Sequence, residues 1–361
     1  MNVTRAVPWG VRILVGLALA LGAGACGGGD EGSQGAQTKE AGAKGEQLKV
    51  GLVTDTGGVD DRGFNEFSIN GLEKAEKELG VKGRVFVSQS GDDYLPNLTS
   101  ASEEGNDLVI SVGFLLTAPL VQVAEQFRDI DYGAVDGFLG TPPDCKKTKT
   151  CVQPNAVGLL FPSEESGYLA GVVAALMTKT GTVSTVGGVK IPPVDNWIAG
   201  FQQAVADTKP GVKTLNQYSQ DFEDPAKCKE IALDQIQQGS DVVFQVAGKC
   251  GLGALDAACE KGVLAIGVDA DQSSAGDCVI TSALKPLELA VFQTIKSAKE
   301  GKFKGGRNVV FGIQDFPQAK LLAPFSAAVP KKVRDAVEEA RKKLASGAID
   351  PPAEIEKVKK K

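Results

Sequence analysis

The chain contains no histidine. Its absence excludes Ser-His-Asp and Cys-His catalysis and every zinc site that uses a histidine ligand. No Cys-x-x-Cys pair is present to build a four-cysteine zinc site either. Carboxylate chemistry and simple ligand binding therefore remain as the available functions, and the sequence predicts neither a metal nor a cofactor.

Aromatic residues are also scarce, and acidic residues outnumber basic ones. Aromatics make up 6% of the 361 residues, so an aromatic side chain beside a predicted cleft is informative. The net charge is −6, which gives no basic footprint for nucleic acid. The length suggests roughly two domains.

The N-terminal segment has the features of an export signal. Arg5 and Arg12 flank the start of an apolar run, "ILVGLALALGAGAC", which is too short to span a bilayer. The run ends at Cys26 and resembles a bacterial lipobox, so residues 1–26 are predicted as a lipoprotein signal with lipid on the Cys26 sulfur. Residues 27–47 lack large apolar side chains and are predicted as a flexible linker. The protein is therefore expected at the cell membrane, on its extracytoplasmic face.

Six further cysteines remain, and an even number in an exported protein suggests disulfides. Cys145 and Cys151 enclose the polar loop "KKTKT" and are the predicted pair. The partners of Cys228, Cys250, Cys259 and Cys278 stay open.

From Leu48 onward, short β-rich runs alternate with helical patterns in two successive series. Repeated βα units predict parallel sheets with helices on both faces, and two series predict two doubly wound α/β lobes. Lobe 1 is expected over residues 48–158 plus 284–310, and lobe 2 over 159–283 plus 311–350. Residues 351–361 are expected as a polar basic tail.

Polar residues follow the ends of the predicted strands. In doubly wound folds, ligands bind beyond the carboxyl ends of the strands, so these residues are expected to meet in a cleft between the lobes. They are Asp55, Asp136, Asp269, Lys285 and the loop that begins at Gly248. The alternative is that such aspartates only cap the helices that follow.

The run "DTGGVDD", residues 55–61, also resembles the calcium-binding cluster DTDxGxDD of nucleoside hydrolases. It is one residue shorter and lacks the central aspartate. Because Ca²⁺ takes six to eight oxygen ligands, the loss weakens that interpretation. A calcium-dependent nucleoside hydrolase is therefore the less favoured hypothesis.

Seven ordered elements resemble the basic membrane protein (BMP) family, lipoproteins that serve ABC transporters as purine-nucleoside receptors. The elements are "GLVTDTGGVDDRGFN", "ISVGF", "YLAGVVAALMT", "PPVDNWIAGF", "VVFQVAG", "AIGVDADQ" and "VITSALK". The resemblance implies a type I periplasmic binding protein fold with three crossings between the lobes. It also implies a permease as partner and a bound purine nucleoside.

The resemblance assigns roles to individual residues. Phe64 and Trp197 would stack on the two faces of the base, and Asn65 and Asp55 would read its edge. The ribose contacts would come from Asp136, Asp269 and Lys285, and Gly248 would bring the backbone close to the ligand. The expected function is capture without hydrolysis. A sugar or signalling molecule as ligand, and a surface regulator or antigen with a vestigial pocket, are the alternatives.

Overall fold

The computed structural model of the chain describes residues 47–359, so the predicted signal segment, the lipidation site Cys26 and the linker up to residue 46 lie outside the described residues. The strands, in chain order, are β1 (Lys49–Val53), β2 (Lys82–Phe86), β3 (Leu108–Val112), β4 (Asp131–Val135), β5 (Ala156–Leu160), β6 (Thr182–Gly187), β7 (Lys213–Tyr218), β8 (Val242–Val246), β9 (Leu264–Asp269), β10 (Val279–Leu284) and β11 (Arg307–Val310). The α-helices are α1 (Phe64–Leu79), α2 (Tyr94–Glu103), α3 (Thr117–Gln126), α4 (Asp144–Thr148), α5 (Ser163–Met177), α6 (Pro192–Thr208), α7 (Pro225–Gln237), α8 (Cys250–Glu260), α9 (Leu287–Lys299) and α10 (Lys331–Ala345).

Two parallel sheets form the centres of two lobes. The first has the strand order β11-β5-β4-β3-β1-β2 and the second the order β10-β9-β8-β6-β7. In each sheet the first strand along the chain lies inside the sheet, so the chain winds outward in both directions. The predicted fold, two doubly wound parallel-sheet α/β lobes, is confirmed.

Helices cover both faces of each sheet. In lobe 1, α1 and α9 bury one face of the sheet, while α2 and α3 bury the other. In lobe 2, α5, α6 and α10 lie on one face, and α7 and α8 on the other. The strands buried between them are continuously apolar, as "LVISV" of β3 shows, which is the pattern expected of a parallel sheet covered on both sides.

The chain passes between the lobes three times. The crossings follow β5, β10 and β11, and after the third the chain runs beside β10, where the Leu284 N–H donates to the Leu321 carbonyl. Because β5 ends at Leu160, the first crossing lies slightly later than the predicted boundary at residue 158.

The C-terminal segment differs from the expected solvated tail. Ile355 packs against the core of lobe 2, and the Lys359 N–H donates to Gln203 Oε1 on α6. The segment attaches because an apolar side chain interrupts its run of charges, while Lys357 and Lys359 remain exposed.

Three disulfides are present among the described residues. Cys145 pairs with Cys151, as predicted, and Cys228–Cys250 and Cys259–Cys278 are the two pairings that the sequence left open. Both of the latter involve α8, so the helix that follows the Gly248 loop is attached covalently at its start and near its end.

Candidate functional site: a cavity between the lobes

The carboxyl ends of the strands in both lobes face one cavity of about 70 Å³. Its lining comprises Asp55, Thr56, Asp61, Phe64, Gly113, Phe114, Asp136, Ile191, Pro193, Val194, Trp197, Phe222, Val246, Gly248, Lys249, Asp269 and Lys285. Lobe 1 supplies the aspartates that follow β1 and β4, and lobe 2 supplies Asp269 at the end of β9. Seven of the eight ligand-binding residues expected from the sequence therefore lie together.

Asp136 and Asp269 occupy equivalent positions in the two lobes. Each stands at the end of a strand with a positive φ, 58° and 64° respectively. Residues other than glycine adopt this left-handed conformation uncommonly, and such backbone strain concentrates at functional sites. Both side chains are buried, so the strained backbone directs two carboxylates into the same cavity from opposite lobes.

Lys285 lies at the first residue after β10, where the chain crosses between lobes. Its ammonium is 2.7 Å from Asp136 Oδ2, and the two side chains are 3% and 7% exposed. The same ammonium lies over three aromatic rings, 5.0 Å from Phe64, 5.4 Å from Phe161 and 5.8 Å from Trp197. Phe64 and Trp197 therefore flank a common volume, with Lys285 and Asp136 at its edge.

Trp197 has two environments. It is 2% exposed and packs edge-on against Phe244 in the core of lobe 2, with ring centroids 6.3 Å apart. It also lines the cavity. Helix α6 can bring it there because Gly167 of α5 sits against the Trp197 carbonyl, where a Cβ would collide with that oxygen. The Trp197 ring therefore forms part of both the cavity wall and the core of lobe 2.

Asn65 is a correction to the sequence-based assignment. Its side chain is 1% exposed and does not line the cavity. The amide oxygen accepts from the Asp55 N–H, and the amide nitrogen donates to the carbonyls of Asp55, Thr56 and Gly58. With both ends of the amide engaged, Asn65 holds the loop after β1 in place, and it has no free group to read a ligand.

Asp55 is held by that loop and by a tyrosine. The Tyr94 hydroxyl and the Thr56 N–H both donate to its carboxylate. Burial raises the pKa of Asp55 to about 6, although these donors oppose the rise. Gly113 of the β3 loop, with φ of 122°, lies against this carboxylate, and a Cβ at that position would collide with Asp55 Oδ2. No other residue fits there.

Burial also raises the pKa of Asp269, to about 7. The positive charge of Lys285 opposes the rise, and the negative charges of Asp136 and Asp61 add to it. The cavity thus contains two buried carboxyl groups with raised pKa values: Asp55 from lobe 1, which already accepts from Tyr94 and Thr56, and Asp269 from lobe 2.

The acids of residues 55–61 do not form a metal cage. Asp61 accepts from the N–H groups of Gly63, Asn65 and Glu66, and thereby caps the start of α1. Asp60 is exposed and pairs with Lys249 of lobe 2. No cluster of three or more acidic or cysteine side chains in the described part of the chain is arranged to hold a metal ion. With Asp61 on the start of α1 and Asp60 paired with Lys249, these two acids do not converge on one point, as the calcium-dependent hydrolase hypothesis requires.

Two contacts join the lobes near the cavity. Lys249 Nζ lies 3.2 Å from Asp60 Oδ1, and Gln272 Nε2 donates to the Arg62 carbonyl at 3.2 Å. The loops of lobe 2 that carry Lys249 and Gln272 thereby contact the loop after β1 in lobe 1. Gly248, with φ of 56°, provides the turn that carries Lys249 to this contact.

Two aromatic residues that line the cavity were not predicted as site residues from the sequence. Phe114 follows β3, and Phe222 lies in the loop between β7 and α7. Phe114 stands in the quoted element "ISVGF", so its position directly after a strand was a usable signal. Phe222 stands in the polar run "SQDFED", where an isolated aromatic near a strand end was the available signal.

These features define a class: a two-lobed α/β binding protein that holds a small ligand between its lobes. The family model for "ABC transporter substrate-binding protein PnrA-like" proteins matches residues 48–342. The chain therefore belongs to this Bmp family of ABC transporter substrate-binding proteins.

Named relatives match this chain over most of its length. A CD4+ T-cell-stimulating antigen of Listeria monocytogenes is 31% identical, over 91% of this chain and 94% of the relative. The ABC transporter nucleoside-binding protein BmpA of Lactococcus lactis is 30% identical, over 85% and 89%. Among solved structures, an ABC transporter solute-binding protein from Aeropyrum pernix K1 superposes with a TM-score of 0.73 at 26% identity, covering 84% of this chain and 92% of that one.

Proposed function

We propose that this protein captures a purine ribonucleoside between its lobes and delivers it to an ABC transporter permease, without chemical change to the ligand. The observation that carries the proposal is the combination of aromatic rings and opposed buried carboxylates around one cavity. A relative 30% identical is named as nucleoside-binding, which supports this ligand class.

The chemistry of each wall fits a part of such a ligand. A base that stacks on an aromatic side chain gains about 1–3 kcal/mol, and Phe64 and Trp197 provide two rings. A carboxylate that faces a cis-diol accepts two charge-assisted hydrogen bonds, and Asp136 and Asp269, which stand at two strand ends, would take this role. Because Asp269 is buried, a ligand without hydroxyl donors leaves its charge unpaired and is rejected.

The test is a calorimetric titration with adenosine, guanosine, inosine and uridine. Heat is expected from the purine nucleosides, weaker binding from their 2′-deoxy forms, and less than a tenth of the affinity from the Asp269→Ala variant. If none of the four nucleosides gives heat, the nucleoside assignment is wrong. A native mass measurement of the purified protein would then identify a trapped ligand of another class.

The second part of the proposal is the attachment to the membrane. The lipobox resemblance at residues 23–26 supports lipid on Cys26, and none of the helices among residues 47–359 is long and apolar enough to cross a bilayer. Labelled fatty acid is expected to enter the wild type and not the Cys26→Ser variant, and that variant is expected in the aqueous fraction. Equal labelling of both proteins would contradict the anchor.

A further inference from the structure

The large apolar side chains that are exposed lie on one rim of lobe 1. Among residues 47–359 these side chains are Val59, Val87, Leu115 and Phe138, and Phe138 is the most exposed, at 47%. They belong to the loops that follow β1, β2, β3 and β4, which are neighbours in the sheet, so all four stand at its carboxyl edge. Single exposed apolar residues are normal, whereas apolar residues that gather on one surface mark interaction sites.

A basic loop adjoins Phe138 on the same rim. This stapled loop comprises residues 141–151, and its charged residues are Lys146, Lys147, Lys149 and a single acid, Asp144. All four are exposed, and none of the lysines forms an ion pair with another residue that the structure describes. A Cβ added at Gly140 would lie 3.0 Å from Cys145 Cβ and 3.5 Å from the Phe138 ring, so the ring and the loop meet there. In a protein with a net charge of −6, this local positive charge favours an acidic partner.

The stapled loop is held in one shape without a partner. The disulfide Cys145–Cys151 closes it. Just before it, Asn308 of β11 forms two hydrogen bonds with the backbone of Leu139, one as donor and one as acceptor. Because the loop is already ordered, it loses little conformational entropy when a partner binds.

Phe138 also lines a cavity of about 270 Å³ between the lobes. Lobe 1 contributes Phe114 and Phe138 to its walls, and lobe 2 contributes Pro192, Pro193 and Asn196 from α6. Since these walls belong to different lobes, the cavity has this shape only while the lobes keep their present arrangement. A partner with an apolar side chain beside Phe138 would therefore distinguish closed lobes from open ones.

We propose that Phe138 and the stapled loop form a docking surface for the permease, and that they receive an acidic segment whose apolar side chain enters the cavity beside Phe138. The lysines without ion-pair partners call for acids, and an aromatic side chain at a preformed cavity is the usual anchor of an interface. The chain belongs to a family of ABC transporter substrate-binding proteins, so a permease is the partner at hand. An anionic bilayer would suit the lysines but has no side chain to enter the cavity. The proposal rests on the proposed function, because it requires delivery of the ligand to a permease.

The first experiment separates docking from ligand binding. In cells whose own copy is replaced, the Lys146→Glu/Lys147→Glu/Lys149→Glu variant is compared with the wild type at equal surface amounts, with the labelled purine nucleoside that titrates most tightly. Its maximal rate of uptake is expected to fall at least about fivefold, because like charges then face each other, while the affinity of the purified protein for the nucleoside changes less than about twofold. Phe138→Ala is expected to lower the maximal rate in the same way.

The matched control reverses three lysines around the amino ends of β1 and β2. The Lys49→Glu/Lys77→Glu/Lys82→Glu variant changes three exposed charges of lobe 1 by the same amount, far from the rim, and is expected to keep the maximal rate of the wild type. Unchanged uptake in the stapled-loop variant, or an equal loss in the control, would overturn the docking surface.

A photoreactive residue identifies the occupant. When p-benzoylphenylalanine replaces Phe138 in cells, irradiation is expected to join the protein to a permease subunit of an ABC transporter, identified by mass spectrometry. Attachment to lipid or to a second copy of this chain would overturn the proposal. If the purified wild type binds none of the nucleosides, the proposed ligand is wrong, and the crosslinked product alone decides the docking surface.

Discussion

Replacing Lys285 by Met tests whether the cavity depends on one buried ion pair. The substitution keeps much of the length and apolar volume of the side chain and removes its charge. It leaves Asp136, whose side chain is 7% exposed, without the ammonium that lies 2.7 Å away. It also removes the positive charge that opposes the raised pKa of Asp269.

The magnitude follows from the burial of both partners. Removing one partner of a buried pair costs about 3–5 kcal/mol, because an uncompensated charge stays inside the protein. The interaction of the ammonium with the rings of Phe64, Phe161 and Trp197 adds to this loss. Replacing both partners, in the Lys285→Met/Asp136→Asn variant, removes the charge as well as its counter-ion and should recover a large part of the stability.

Urea unfolding at pH 8 measures both variants, and the short surface pair Lys331–Asp335 provides the matched control. Lys331→Met removes an ammonium from an exposed pair at the same distance of 2.7 Å and is expected to cost less than about 1 kcal/mol. The reasoning would be refuted if Lys285→Met cost no more than Lys331→Met. It would also be refuted if the double variant were less stable than Lys285→Met alone.

Three further predictions concern the cavity and its supports. Burial holds the pKa of Asp269 near 7, and a ribose hydroxyl that donates to Asp269 favours its ionised form. Nucleoside affinity should therefore fall about tenfold per pH unit below pH 7. Calorimetry of the Asp269→Asn variant should show no such dependence on pH. Gly113→Ala should displace Asp55 and lower the affinity for nucleoside at least tenfold in the same titration. The control is Gly105→Ala: Gly105 also has a positive φ, but an added Cβ would meet no atom within 4 Å, so this variant should bind normally. Replacing the Cys228–Cys250 pair by alanines should lower the free energy of unfolding in urea by about 3 kcal/mol, against about 2 kcal/mol for Cys145–Cys151. The difference is expected because the disulfide that closes the longer loop removes more entropy from the unfolded chain. Equal costs would contradict this account.

The strand ends could be located from the sequence because parallel strands are continuous apolar runs that stop at a polar residue. Asp136 and Asp269 follow such runs, and the topology of a doubly wound sheet alone brings both to one edge. The positive φ at each position is a property of the folded loop and has no signature in the residue type, since aspartate is also a common helix cap.

Asn65 shows why a residue's role is harder to predict than its place. An amide can serve a ligand or its own backbone equally well, and the sequence does not indicate which. The loop after β1 turns through two glycines, Gly57 and Gly58, and exposes carbonyls that need donors. The Asn65 amide donates to the carbonyls of Thr56 and Gly58, so it is engaged by the protein's own backbone and is not free to bind a ligand.

The charge balance of the first cavity indicates what its ligand has to supply. Asp61 caps α1, Asp136 is neutralised by Lys285, and Lys249 is paired with Asp60. Asp269 remains, together with Asp55, which already accepts from Tyr94 and Thr56, and burial raises the pKa of both carboxyl groups. A ligand that brings neutral hydrogen-bond donors relieves this cost, whereas an anion increases it. Since Asp55 belongs to lobe 1 and Asp269 to lobe 2, the proposed ligand would contact both carboxylates only with the lobes closed around it, and this would couple recognition of the ligand to closure.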